Sequence, residues 1–322
     1  LDHIEEIFRR AGYKQMLLGN RKQAYIPAGG IILENPKGTA PAFIAEDARG
    51  VIVALPGVPH EMRYLIEARV MPYLKEKFQV RGLIKYKTLM TVGIGESALN
   101  EQIRDLMELA NPTVGTLAGA GMVALRVASK AGDDAEADAM IARVEHEIRS
   151  RLGDYVYGER DISLEEVVGS LLCAHRRTLA IYESVTAGAV CHRLSRLAGH
   201  GSFFVGGVVA SRGHMRHMVW EASLLEGADP GYATPEVTQR FSDGVRRLCG
   251  ADVGLAVVSD RRPEDGDSLI ASRPVYLALS ADGVSVVREQ RFGGEMAWMQ
   301  QRSSNLALDL VRRYLLGKLE YR

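Results

Sequence analysis

Residues 178–210, TLAIYESVTAGAVCHRLSRLAGHGSFFVGGVVA, decide the fold class. Thr178–Tyr182 is an apolar run of strand length. Glu183-Ser184-Val185-Thr186-Ala187-Gly188 follows as a turn of small residues, then a helical pattern runs through Leu194, and Phe203–Ala210 reads as a second strand. Strand, turn, helix and strand in this order form the unit of an α/β sheet. The turn is also where chemistry could sit. Small residues let a ligand approach the backbone, and N–H groups at a helix start favour an anion or a developing oxyanion. A serine there serves as a nucleophile if a base lies within reach. The plainer use is that Ser184 and Thr186 cap the helix that follows, and spacing alone favours capping.

The pattern continues in both directions. Downstream, a helix is expected near 235–248, strands at Val253–Val258, Pro274–Leu279 and Gly283–Val287, and a last helix near 297–317. Upstream, Ser163 is the expected N-cap of a helix over Leu164–His175, and Gly158-Glu159-Arg160-Asp161 reads as a linker. Before it lie a strand at 85–92, a turn Gly93–Ser97 into a helix near 97–109, a break at Asn111-Pro112 and a strand Val123–Val127. An amphipathic helix at 134–152 follows, with Ile141, Val144 and Ile148 as its core stripe, so this stretch is a small α+β module. The first eighty residues give a helix at 3–12 and strands at Ile31–Leu33 and Phe43–Glu46. Val51–Leu55 reads as a buried strand running through Pro56-Gly57-Val58-Pro59 into a helix, the unit of an open α/β sheet.

Composition narrows the function classes. With 40 basic and 40 acidic residues intermixed, the chain lacks the basic excess that phosphate-backbone binding requires, and no nucleic-acid partner is expected. Cys173, Cys191 and Cys249 have neither disulfide nor metal spacing, which fits reduced thiols and a cytoplasmic setting. No apolar run reaches transmembrane length, so no membrane partner is expected either. His214 and His217 could supply a base or hold a metal, but a solvated helix face is favoured and no metal site is expected. Trp220 and Trp298 read as packing residues.

Four motifs in order resemble the CinA family. Glu183–Gly188 is similar to that family's Glu-Ser-Cys/Ala-Thr-Gly-Gly motif, and Phe203–Ala210 to the strand that follows it. Asn35-Pro36-Lys37-Gly38-Thr39-Ala40-Pro41 and Leu55-Pro56-Gly57-Val58-Pro59-His60-Glu61-Met62 resemble the paired signatures of its N-terminal, molybdopterin-binding-like domain. Thr91–Ser97 resembles the start of its KH-like domain. The resemblance implies a multi-domain α/β protein: a partial molybdopterin-binding-like α/β domain at 1–80, a KH-like α+β domain at 81–158 and a CinA C-terminal α/β domain at 162–322. It also implies that family members open with a further segment of roughly a hundred residues, which would make 1–80 the later half of a domain.

The implied activity is amide hydrolysis of nicotinamide mononucleotide. Ser184 would attack or activate at the carboxamide, and Glu183, Thr186, Gly188, Gly206 and Gly207 would bind substrate, with the amides of 186–188 steadying the oxyanion or phosphate. The partner is a small pyridine nucleotide, the C-terminal domain needs no cofactor, and a homo-oligomer is expected. For the N-terminal domain the resemblance implies a site at Asn35, Gly38, Thr39, Pro56, Gly57 and Glu61, where an intact domain would use a divalent metal for ADP-ribose pyrophosphatase chemistry.

Departures from the family pattern bear on turnover. Ser211 stands at the family's Tyr position and Arg216 at its Lys position. A buried lysine can lose its proton and act as a base, whereas arginine in practice cannot. Ala187 stands where the motif carries a Gly, residues 258–263 lack a Gly-rich loop, and Met296 stands where an Arg is expected. Deamidase activity is therefore expected to be weak or absent, the alternative being a non-catalytic nucleotide-binding or scaffold protein. RNA binding through the KH-like domain is set aside, because Gly93-Ile94-Gly95-Glu96 lacks the second glycine of a Gly-X-X-Gly loop and carries an acid.

Overall fold

The computed structural model describes residues 1–10, 12, 18–79, 82–210, 217, 218, 220, 232–259 and 273–319. The chain divides into two compact units, Leu1–Gly82 and Leu83–Arg322.

In the first unit, helix α1 (Asp2–Arg10) precedes strands β1 (Ile31–Leu33), β2 (Ala42–Asp47) and β3 (Gly50–Ala54). All three strands pair antiparallel in the order β1-β2-β3. This corrects the open α/β unit expected here: the strand entering the helix belongs to a meander. Helix α2 (Pro59–Leu65) continues through one π-helical stretch, Ile66–Val70, into α3 (Met71–Lys77). Leu65 and Val70 pack on Leu33, Ala42 and Ile44. β3 is not the buried strand expected. Alternation sends Val51 and Val53 toward this small core, while Ile52 points away and is 70% exposed.

The second unit begins with the α+β module. Strands β4 (Leu83–Val92), β5 (Thr113–Gly119), β6 (Met122–Ala131) and β7 (Val156–Glu159) form an antiparallel sheet in the order β5-β6-β4-β7. Helices α4 (Glu96–Gln102), α5 (Arg104–Met107) and α6 (Asp134–Leu152) cover one face. The Ile141, Val144 and Ile148 stripe meets Leu89, Leu125 and Val127, as the helical period requires. The expected linker at 158–161 instead begins inside β7, and β5 was not foreseen.

Helix α7 (Leu164–Ala174) starts at a capping box. The Ser163 hydroxyl accepts from Glu166 N–H, and the Glu166 carboxylate accepts from Ser163 N–H. It leads into β8 (Leu179–Glu183), α8 (Ala189–Ser195), β9 (Phe204–Val209), α9 (Pro235–Cys249), β10 (Val253–Val258), β11 (Arg273–Ala281), β12 (Val284–Phe292) and α10 (Met296–Leu315). The five-stranded sheet runs β12-β11-β10-β8-β9, with β8 parallel to both β9 and β10.

Both faces of this sheet are covered, so β8 and β10 are buried along their whole length. Leu179, Ile181, Leu255 and Val257 face α7, α8 and α10. Ala180, Tyr182, Ala256 and Val258 face α9, where Tyr182 stacks on Phe241 at 4.0 Å. Trp220 meets Phe241 edge-on, as a packing residue. Trp298 is 52% exposed and is not one. Val92 and Met122 of the α+β module join the core formed by α7, α8 and α10, so the two parts share apolar packing.

Candidate functional site at the ends of the parallel strands

From β8 the chain passes over one face of the sheet through α8 to β9, and over the other face through α9 to β10. The carboxyl ends of β8 and β10 therefore flank a topological switch point, where open α/β sheets leave a crevice for ligands. The Ser184 turn stands at that point. Ser184 N–H donates to Val257 O at 2.9 Å. Its hydroxyl lies 3.2 Å from Ser259 N–H, which donates to it, and 3.4 Å from Ser259 O. Ser184 is 3% exposed. Among the described residues its hydroxyl hydrogen is thus directed at a backbone carbonyl rather than at a base. β9 is tied to the same place, because Ala210 N–H donates to Glu183 O at 2.9 Å and Tyr182 Oη donates to Ala210 O at 3.0 Å.

Glu183 has a different task from the one expected. It is fully buried, and its carboxylate accepts from Gly188 N–H at 3.0 Å, Val190 N–H at 3.2 Å and Cys191 N–H at 2.7 Å. These donors open α8. Of the amides at 186–188 expected to steady an oxyanion or phosphate, that of Gly188 is taken by the protein's own carboxylate, which also suits the positive end of the helix. Neither the Ser184 nor the Thr186 side chain caps α8; its N-cap position is Gly188, which has no side chain, and the Glu183 carboxylate serves instead. Thr186 is 2% exposed and its hydroxyl has no hydrogen-bond partner among the described residues.

Ala187 (φ 52°) and Gly188 (φ 90°) are both left-handed, which explains the glycine pair that the motif carries in the resembling family. Gly206 and Gly207 pair with Ala180 and Ile181 in mid-strand, away from the carboxyl ends. A Cβ on Gly207 would collide with Cys191 Sγ and Ile181 O, so the absence of a side chain here lets α8 approach the sheet. Burial, reinforced by the Glu183 charge, pushes the Cys191 thiol far up, so it stays protonated and is no alternative nucleophile.

Ser211, His214, Arg216 and residues 260–263 lie outside the described residues. His217 is exposed.

In the first unit, Asn35, Gly38 and Glu61 come together. Buried Asn35 donates from Nδ2 to Glu61 Oε2 at 2.6 Å and to Ala40 O at 2.9 Å, and its Oδ1 accepts from Lys37 N–H at 3.0 Å. The Glu61 carboxylate fills the space a side chain on Gly38 would need. Thr39 lies in the same turn, while Pro56 and Gly57 precede α2, with Gly57 exposed. The cluster is closed by its own hydrogen bonds and holds a single carboxylate. Among the described residues, no group of three His, Cys, Asp or Glu side chains could hold a metal ion. The residues present do not fit a divalent cation.

A doubly wound α/β layer joined to a KH-like α+β module, with a serine turn at the switch point, defines the class of protein. Family models agree: residues 86–158 match the damage-inducible protein CinA KH domain and 161–315 the CinA C-terminal domain. The chain is 36% identical over 321 residues to a putative competence-damage inducible protein of Alkaliphilus oremlandii, covering 99% of this chain and 76% of that one. It is 36% identical over 320 residues to a CinA-like protein of Dictyoglomus thermophilum, covering 98% and 77%. A crystal structure of a CinA superfamily protein from Klebsiella pneumoniae aligns with 48% of this chain and 99% of its own, at 22% identity and a TM-score of 0.42. The chain belongs to the CinA family. No helix among the described residues is long and apolar enough to cross a membrane.

Proposed function

We propose that the C-terminal part carries a nicotinamide mononucleotide deamidase-type site in which nucleotide binding outlasts turnover. The observation that carries this reading is the buried Ser184 hydroxyl at the β8/β10 switch point, held by the Ser259 backbone. The substrate class comes from the family resemblance of the Glu183–Gly188 motif. Hydrolysis needs a group to take the serine proton, and the two positions where the family pattern places Tyr and Lys hold Ser211 and Arg216. A guanidinium does not accept that proton at neutral pH. Loss of a positioned base removes a factor of about 10² to 10⁴ in rate. Binding needs only shape and donors, so it persists when turnover is lost.

Ammonia release from nicotinamide mononucleotide tests the reading. The parent chain should stay near background, and Arg216→Lys combined with Ser211→Tyr should raise the rate, dependent on Ser184. Strong parental turnover that disappears in Ser184→Ala would show that another base serves. A second arm measures melting with and without millimolar nucleotide, since a ligand that binds only the folded state raises the midpoint. No shift would favour the scaffold reading, to which the closed Glu183 cap already lends weight.

A further inference from the structure

We infer that the β5–β6 hairpin of the KH-like module braces the Ser184 turn, through Asn305 and Arg193 as positioning residues. The path is a continuous set of polar contacts. Ala120 O, at the hairpin tip, accepts from Asn305 Nδ2 at 2.6 Å. Asn305 Oδ1 accepts from Arg193 Nη1 at 2.7 Å. The other edge of the Arg193 guanidinium donates to Glu165 Oε2 at 2.6 and 3.2 Å, which fixes its plane. Arg193 belongs to α8, whose opening amides are bound by Glu183, the neighbour of Ser184.

Helix α8 has seven residues and is held at both ends: by the Glu183 carboxylate at its start and by Arg193 near its finish. So short a helix has little stability of its own, and its position is set by these anchors together with the packing of Val190 and Leu194 in the core. Asn305 is 1% exposed and is the one side chain of the path that must both donate and accept. An apolar residue there would leave Ala120 O and Arg193 Nη1 without the partners that Asn305 supplies. The hairpin tip also fits closely. Gly121 has φ 76°, and a Cβ on it would stand 3.3 Å from Arg302 Cγ on α10. A shift of the hairpin therefore reaches α10 and α8 together.

This inference rests on the proposed site only for its consequence; the brace is tested without substrate. Amide exchange is followed in the full chain. In Asn305→Ala, the amides of Gly188, Val190 and Cys191 should exchange about tenfold faster or more, while those of Phe241 and Val245 in α9 keep the parental rate. Arg193→Ala should reproduce this, and the double variant should add nothing further, because both cut one path. Asn305→Asp keeps the acceptor for Arg193 and loses the donor for Ala120, so it isolates the hairpin's part and should also speed the α8 amides. Parental exchange at those amides in Asn305→Asp would overturn the inference, since α8 would then be held within the C-terminal part alone. Uniform acceleration that includes α9 would overturn it too, as plain destabilisation. The nucleotide melting assay is independent: no midpoint shift with localised exchange sinks the nucleotide-binding reading and keeps the brace, whereas a shift with unchanged exchange does the reverse.

Discussion

At the scale of single residues, the Ser184 turn stores strain in one place and relieves charge in another. Ala187 holds φ at 52°, a conformation costly for any residue with a Cβ. Ala187→Gly should stabilise the protein by about 1 kcal/mol, less what glycine's flexibility returns to the unfolded chain. Urea unfolding with an unchanged slope measures this. A midpoint below the parent's would mean that the Ala187 methyl contributes packing greater than its strain. Glu183 is the opposite case, a buried carboxylate with three backbone donors. Glu183→Gln keeps the shape, but its amide nitrogen cannot accept from any of them. A loss of about 2 kcal/mol is expected, because hydrogen bonds to a charged group are the stronger kind. A variant as stable as the parent would show that the carboxylate is not the cap the geometry makes it.

At the scale of elements, the parallel strands are pinned at their starts as well as their ends. Asp252, just before β10, accepts from Thr178 N–H and Thr178 Oγ1, both at 2.8 Å, just before β8. The Thr178 amide first, then its hydroxyl and Arg177, hold the Asp252 carboxyl below the usual aspartate range. A depressed folded pKa means the contribution is complete above the unfolded value, about 3.9, and is lost as pH falls through the folded one. Asp252→Asn should therefore lower stability at pH 7, and the difference from the parent should shrink on acidification toward pH 3. An equal difference at pH 7 and pH 3 would assign the effect to geometry rather than charge.

The elements legible in the sequence were those whose period is strong and whose ends carry their own signals. Helix 134–152 has a core stripe, Ser163 has its Glu166, and Val253–Val258 is an unbroken apolar run. β5 was missed because Thr113–Gly119 alternates small and exposed residues, and only pairing with β6 makes it a strand. The site was half legible. Ser184 stands where a strand–turn–helix motif puts it, but Glu183 reads as a substrate contact until its neighbours' amides are seen to converge on it. Asn305 and Arg193 lie 112 positions apart, and no local pattern links them.

For the whole molecule, the boundary that matters runs through a shared core. The sequence suggests an independent domain at 162–322, yet Val92 and Met122 pack into its apolar core. The end of α10 is docked on the turn before β7. Asp309, fully buried, pairs with Arg312 at 2.6 Å and Arg313 at 2.8 Å, both 3% exposed as side chains. Arg312 also donates to Asp154 O at 2.5 Å, Arg313 lies over the Tyr155 ring, and Lys318 pairs with the Asp154 carboxylate at 2.6 Å. A fragment beginning at 162 loses the Ala120 and Asp154 acceptors, the Tyr155 ring and three side chains of this core, Val92, Met122 and Tyr157, at once. Two lost hydrogen bonds, one buried and one partly buried, and the exposed apolar contact cost about 3 kcal/mol or more. For a chain of this size that is a fall of about 10 °C in the melting midpoint. A fragment spanning 83–322 should instead melt in one transition, seen alike by tyrosine absorbance and by far-ultraviolet dichroism, and at least that far above the 162–322 fragment. Equal midpoints, or two separate transitions in 83–322, would mean that the buried Asp309 cluster and the shared core join the parts without coupling their stability, and the hairpin could not then act on the Ser184 turn as a brace.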